Sequence, residues 1–390
     1  MMTPLTRIVL PLSVVAALVT SLRAEDPSEL PPLAPSVAPF VEKAELAGAV
    51  MLVASKTKIL AHEAIGFADV AEKKPMKTDS VFWIASQTKP IAASALMVLV
   101  DEGKVKLDDP VEKYLPEFKG QMAVVEKDDA HRLLKKPAAP ITIRQCLSHV
   151  SGLPFKSGIE EPALDQSPLR ICVRSYAMLP LDYEPESKYV YSNAGINTAG
   201  RIVEVVSGMP FEQFLDERIC KPLGMKDTTF FPTTELAERI AKAYKPGQGG
   251  KGLEETKITF LSYPLTDRHQ RFCMPGGGLF STAKDVSRFY QMLLNEGELD
   301  GKRILSADAV KELTKRQTPT TVKENYGLGF SVSPTTFGHG GAYSTQTTAD
   351  KEKGIVWIWL VQHAGFPGEG GKAQETFRKA AFDALSKKAP

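Results

Sequence analysis

Apolar positions along this chain fall into three regimes. Near the start, residues 48–55 and 59–68 form two apolar runs around Lys56-Thr57-Lys58, a pattern that reads as a β-hairpin. Residues 37–46 before them fit a short helix, with Pro39 tolerated in its first turn. From Ser86 to about residue 206 the pattern turns helical. Residues 91–100 are apolar on nearly every side, the mark of a buried helix, and Asp101-Glu102-Gly103 stops it. Residues 193–206 place Ile196, Ala199, Val203 and Val206 on one face before Gly208, and 211–219 fit a further short helix. The last third returns to strands at 326–332, 337–347 and 354–362, then closes on a helix over 371–387.

Strands at both ends with helices between them predict an α/β (α+β) protein. Residues 25–80 and 276–390 are expected to build one α/β domain from both termini, with a mainly helical domain, 81–275, inserted. No internal repeat is present, and low complexity is confined to a Pro-rich lead-in at 25–35.

Composition narrows the class. The chain has 390 residues, 43% hydrophobic and 24% charged, which is a soluble globular balance. A net charge of +2, with no basic cluster interleaved with aromatics, gives no field for nucleic acid. Arg7, the apolar stretch 8–18 interrupted by Pro11, and Ser21-Leu22-Arg23-Ala24 read as a signal peptide over 1–24. The body is therefore expected to be exported, periplasmic or secreted, with no stable membrane span after cleavage. Cys146, Cys172, Cys220 and Cys273 show no Cys-x-x-Cys spacing; they could pair in three ways or stay unpaired in the core. The six His are scattered without metal-ligand spacing, so no metal or other cofactor is expected.

Three short motifs carry chemistry. Ser86-Gln87-Thr88-Lys89 opens the buried helix, and residues three apart share a helical face, so Lys89 can point at the Ser86 hydroxyl. A serine needs an adjacent base, and a lysine serves if burial at a helix start lowers its pKa. Ser281-Thr282-Ala283-Lys284 has the same spacing, but Asp285 follows Thr282 by three, which reads as helix capping. Tyr191-Ser192-Asn193 precedes a helix; Tyr191 could relay protons and Asn193 could orient a substrate amide or the lysine, or the pair could be a plain helix cap. His339-Gly340-Gly341, followed by Ala342, would let a substrate backbone lie against a strand edge, or would be a turn with a solvent-facing His. His149 reads as a packed structural residue. No Gly-x-Ser-x-Gly elbow or phosphate loop occurs.

The order of these motifs, 105 and 148 residues apart, resembles the serine β-lactamase and penicillin-binding-protein superfamily: class C β-lactamases, low-molecular-weight penicillin-binding proteins, family VIII carboxylesterases and D-aminopeptidases. Residues 143–153 and 275–282 look like that family's usual surroundings. The resemblance implies a β-lactamase/transpeptidase-like fold: an antiparallel sheet flanked by helices, with an inserted all-helical domain and the site between them. It implies Ser86 as the acylated serine, Lys89 and Tyr191 sharing the base role, Asn193 as the Tyr-x-Asn partner, and the N–H groups of Ser86 and Ala342 as the oxyanion hole. Where the family's best-known third motif is Lys-Thr-Gly, this chain has His339-Gly340-Gly341. A mostly uncharged His there would not hold a substrate carboxylate as a lysine does, and Lys156 is the next candidate cation. The expected activity is a carboxylesterase-like serine hydrolase, with D-amino-acid peptidase, β-lactamase and a non-catalytic cell-wall peptide binder as alternatives. The expected partner is a small ester or amide, or a cell-wall peptide.

Overall fold

The computed structural model describes residues 30–387; the expected signal peptide lies outside them. Among the described residues no helix is long and apolar enough to cross a membrane.

The hairpin of the N-terminal segment is β1 (Gly48–Ser55) and β2 (Ile59–Asp69), followed by the short β3 (Lys74–Pro75). Four strands from the far end of the chain join them: β4 (Ser331–Val332), β5 (Thr336–Gly340), β6 (Gln346–Asp350) and β7 (Ile355–Leu360). Together they form a seven-stranded sheet in the order β4-β5-β6-β7-β1-β2-β3, antiparallel throughout. The β1–β7 register, from Val50↔Leu360 to Ser55↔Ile355, ties the two ends of the chain together.

Strand alternation sorts the side chains of β1 and β7 between two cores. Ala49, Met51, Val53, Trp357 and Trp359 face a smaller core closed by α1 (Ala34–Glu42) and α5 (Ala373–Ser386). Val50, Leu52, Ala54, Val356, Ile358 and Leu360 face the larger core, against α4 (Ala283–Leu294). That larger core continues without a break into the helical part, through Leu96, Val203 and Phe214. Its centre is α2 (Thr88–Asp101), where twelve of fourteen residues are buried, packed against α3 (Asn193–Ser207).

Helix α3 begins and ends where the sequence places its signals, whereas α1 spans Ala34–Glu42 rather than 37–46, so Pro39 lies inside it and not in its first turn. Ser192 caps α3 by accepting from the Gly195 N–H, and Gly208 leaves it in the left-handed conformation. Three further expectations need correction. The strand expected over 337–347 is two strands, because the chain turns at 341–345, where the Gly341 N–H donates to the Thr345 carbonyl. Of 326–332 only Ser331–Val332 is a strand, although Tyr326 makes an isolated bridge to Ser331. The inserted segment, expected from the resemblance to be all-helical, also carries two hairpins, Ala123–Lys127 with Arg132–Lys135 and Ala243–Pro246 with Leu253–Thr256. All four cysteines are buried and free.

Candidate active site

Ser86 sits in a short 3-10 turn, Ala85–Gln87, that runs straight into α2. Ala85 adopts a left-handed backbone (φ 48°), an uncommon conformation for a residue with a Cβ. The turn is pinned from behind by β5 and β6. Thr347 Oγ1 donates to Gln87 Oε1 at 2.7 Å, and Gly341 packs on Ile84 and Ala85 so closely that a Cβ there would lie 2.6 Å from the Ile84 carbonyl oxygen. Gly341 therefore fixes the approach of the 341–345 turn, and brings its neighbour Ala342, which is exposed, to the segment bearing Ser86.

Lys89 lies in the first turn of α2 and is completely buried. Its Nζ meets Ser86 Oγ at 3.2 Å, Asn193 Oδ1 at 2.7 Å and the Gly276 carbonyl oxygen at 2.6 Å. No carboxylate among the described residues makes an ion pair with it, and burial holds its amine well below the ordinary lysine pKa. The amine also lies 4.5 Å from the centroid of the Tyr191 ring. Burial pushes the Tyr191 phenol above its ordinary value, opposed by a hydrogen bond with Ser86.

His339 faces inward from β5, against the reading that it could face solvent. Its Nδ1 is 2.6 Å from the Gly340 carbonyl oxygen, so that nitrogen carries the proton. Nε2 then accepts from the Tyr326 hydroxyl at 2.8 Å, with the Tyr191 hydroxyl 3.5 Å away. Burial first, and the nearby Lys89 second, press its pKa down to about 3. Lys156 is taken up by Glu161 at 2.5 Å.

The structure thus brings Ser86, Lys89, Tyr191, Asn193 and His339-Gly340-Gly341 to one place. The beta-lactamase family model matches residues 33–381. The chain belongs to the beta-lactamase family. It is 34% identical over 354 residues to Protein Rv1367c of Mycobacterium tuberculosis, covering 82% of this chain and 86% of that protein. It is 29% identical over 378 residues to Esterase EstB of Burkholderia gladioli, covering 86% and 91%. Among solved structures, EstCE1, a hydrolase with promiscuous acyltransferase activity, superposes with a TM-score of 0.74 at 25% identity, covering 90% of this chain and 98% of that one. The protein is accordingly a beta-lactamase-family serine hydrolase with the fold of that family.

Other residues of this beta-lactamase-family site escaped the sequence reading. Gly276 gives only its backbone: the carbonyl accepts from Lys89 and the N–H donates to Asn197 Oδ1 at 2.8 Å. A Cβ on Gly276 would lie 3.1 Å from Asn193. Asn193 and Asn197 are one helical turn apart on α3, so the helix grips Lys89 and the Gly276 segment together. Tyr326, whose hydroxyl bonds the remaining His339 nitrogen, belongs to no motif. The second Ser-x-x-Lys plays no part here. Ser281 Oγ is bonded to Thr228 Oγ1 at 2.8 Å, and the Thr282 side chain caps α4 at the Asp285 N–H.

Proposed function

We propose that the protein is an exported carboxylesterase that hydrolyses small, uncharged esters through an acyl-Ser86 intermediate. The observation that carries this reading is the set of partners around Lys89. A neutral amine has two N–H donors and one lone pair. Asn193 Oδ1 and the Gly276 carbonyl can only accept, so they take the two donors. The lone pair is left for the third neighbour, the Ser86 hydroxyl. Lys89 is then the first base: it takes the Ser86 proton as Oγ attacks the ester carbonyl, and the resulting ammonium keeps all three partners and the Tyr191 ring face. Tyr191, held as the protonated phenol, passes a proton to the leaving alcohol and is restored from Lys89. The N–H groups of Ser86 and Ala342 receive the oxyanion, an effect on the order of 3 kcal/mol per donor. Water then attacks the acyl-enzyme by the same proton path reversed.

The preference for uncharged esters rests on His339 and Lys156. His339 is neutral and already bonded through both nitrogens, and Lys156 is paired with Glu161. Neither is a free cation for a substrate carboxylate, the group that penicillins and D-Ala peptides present. The likeness to Esterase EstB supports the same choice. Export rests on Arg7, the apolar 8–18 stretch and Ser21–Ala24.

The test is a panel on purified protein: p-nitrophenyl esters of short acids, a D-Ala-D-Ala peptide and a chromogenic cephalosporin, with a fluorophosphonate probe to mark the nucleophile. The expected result is an adduct on Ser86 and ester turnover far above the other two. Faster cephalosporin or peptide turnover would replace the esterase reading, and an adduct on Ser281 would overturn the site.

A further inference from the structure

We infer that His149 is a positioning residue for Tyr191, gripping the chain on both sides of it; this rests on the reading above that Tyr191 carries protons. His149 was singled out in the sequence but took no part in the mechanism. Its backbone carbonyl accepts from the Val190 N–H at 3.0 Å, and its side-chain Nδ1 accepts from the Ser192 N–H at 3.2 Å. The residue between those two donors is Tyr191. The His149 ring itself lies 4.5 Å from the Tyr191 ring, centroid to centroid, and 4.6 Å from that of Tyr326. The hydroxyls of those two tyrosines converge on one atom, His339 Nε2. Two histidines and two tyrosines thus form a closed ring, and His149 sets the spacing of the two phenols.

The chemistry of this position calls for histidine. The Ser192 donor needs a neutral acceptor two bonds beyond the Cβ, and the tyrosines need a flat ring. Because Nδ1 accepts, the proton sits on Nε2, which among the described residues has no hydrogen-bond partner and lies within the aromatic cage. His149 is fully buried in a left-handed backbone (φ 62°), so the surrounding structure holds it against a local strain. Burial, with Lys89 and His339 nearby, keeps it neutral, as the Ser192 bond requires.

The experiment is a double-mutant cycle between His149 and Tyr191 on the whole protein, with kcat and KM for a p-nitrophenyl ester and a thermal melt of each variant. His149→Phe keeps a ring and removes the acceptor. His149→Asn keeps an acceptor at the same branch point and suits the left-handed backbone. His149→Phe is expected to lower kcat by roughly ten- to a hundredfold with little change in KM, since a misplacement near 1 Å costs that much. His149→Asn is expected to retain more of kcat. Beside Tyr191→Phe, His149→Phe is expected to add no further loss, because both act through one phenol. A loss that multiplies in full beside a slow Tyr191→Phe, or an unchanged kcat in folded His149→Phe, would overturn the inference alone. A fully active Tyr191→Phe would overturn the catalytic reading of Tyr191 and the inference with it. Should His149→Phe not fold, His149→Ala takes its place in the cycle and is read the same way.

Discussion

At the scale of residues, the site is a problem of where protons rest before the reaction starts. Lys89 is fully buried, with neutral acceptors around it and no carboxylate partner among the described residues, so burial lowers its pKa. Tyr191 moves the other way and stays a phenol. His339, at about 3, remains neutral over the whole working range. The sign of the pH dependence follows. With Lys89 as the proposed base, the active form needs the neutral amine, so kcat/KM is expected to fall as pH drops through its depressed pKa and to be flat above it. His339 adds no limb above pH 4 or so, and the phenol adds none below about pH 10, the ordinary tyrosine value. A pH–rate profile is therefore expected to reach its plateau well below about pH 10.4, the ordinary lysine value. A rate still climbing tenfold per pH unit at pH 9 would return Lys89 to about 10.4. Lys89→Met should lose at least about two orders of magnitude, the scale of an absent general base. The residues whose roles escaped the sequence reading share one property. Gly276 acts through its backbone, Tyr326 through an atom of another motif, and His149 through an N–H 43 residues away. None of these leaves a mark on side-chain spacing.

At the scale of elements, periodicity was legible where one face is buried and the other is not, or where no face is exposed. Residues 91–100 and 193–206 were read as helices, and both are, within a few residues at each end. The hairpin at 48–68 was equally plain, because β1 is buried along nearly its whole length. The hairpin at 123–135 was not, because Val125, Leu133 and Leu134 are exposed among charged neighbours and follow no core-facing period. The break between β5 and β6 was masked because Gly340, Gly341 and Ala342 read equally as strand or turn. That break can be tested. In Gly341→Ala the new Cβ would meet Thr345 Oγ1 at 2.2 Å and the Ile84 carbonyl oxygen at 2.6 Å. The turn must move away from Ser86, and Ala342 with it. Acylation is expected to slow by roughly tenfold or more, as loss of an oxyanion donor does, while far-UV circular dichroism stays the same. Ser281→Ala is the control: it loses the bond to Thr228 and should cost about 1 kcal/mol in stability with turnover unchanged. Normal turnover in Gly341→Ala would detach the turn from catalysis.

At the scale of the whole molecule, the candidate active site lies where a sheet made from both chain ends meets the helices between them, and one continuous core runs beneath it. Such a core makes charge at its centre expensive, and the molecule places an amine there. The unfolded chain binds a proton on Lys89 below about pH 10.4, whereas the folded chain does not until its depressed pKa is reached. Between those two values the unfolded state holds more protons. Stability therefore falls as pH falls through that window, by about 1.4 kcal/mol per unit for this one group. Lys89→Met removes that proton linkage. It also leaves Asn193 Oδ1 and the Gly276 carbonyl without their donor, a penalty that does not depend on pH. The two contributions separate in a titration of stability. The melting temperature of Lys89→Met relative to the natural protein is expected to shift in the variant's favour as pH is lowered from about 10 to 7, whatever its sign at either end. Every other titrating group is common to both proteins and cancels in the difference. A gap that stays constant across that window would mean that Lys89 carries the same charge folded and unfolded, and the base would have to be sought elsewhere.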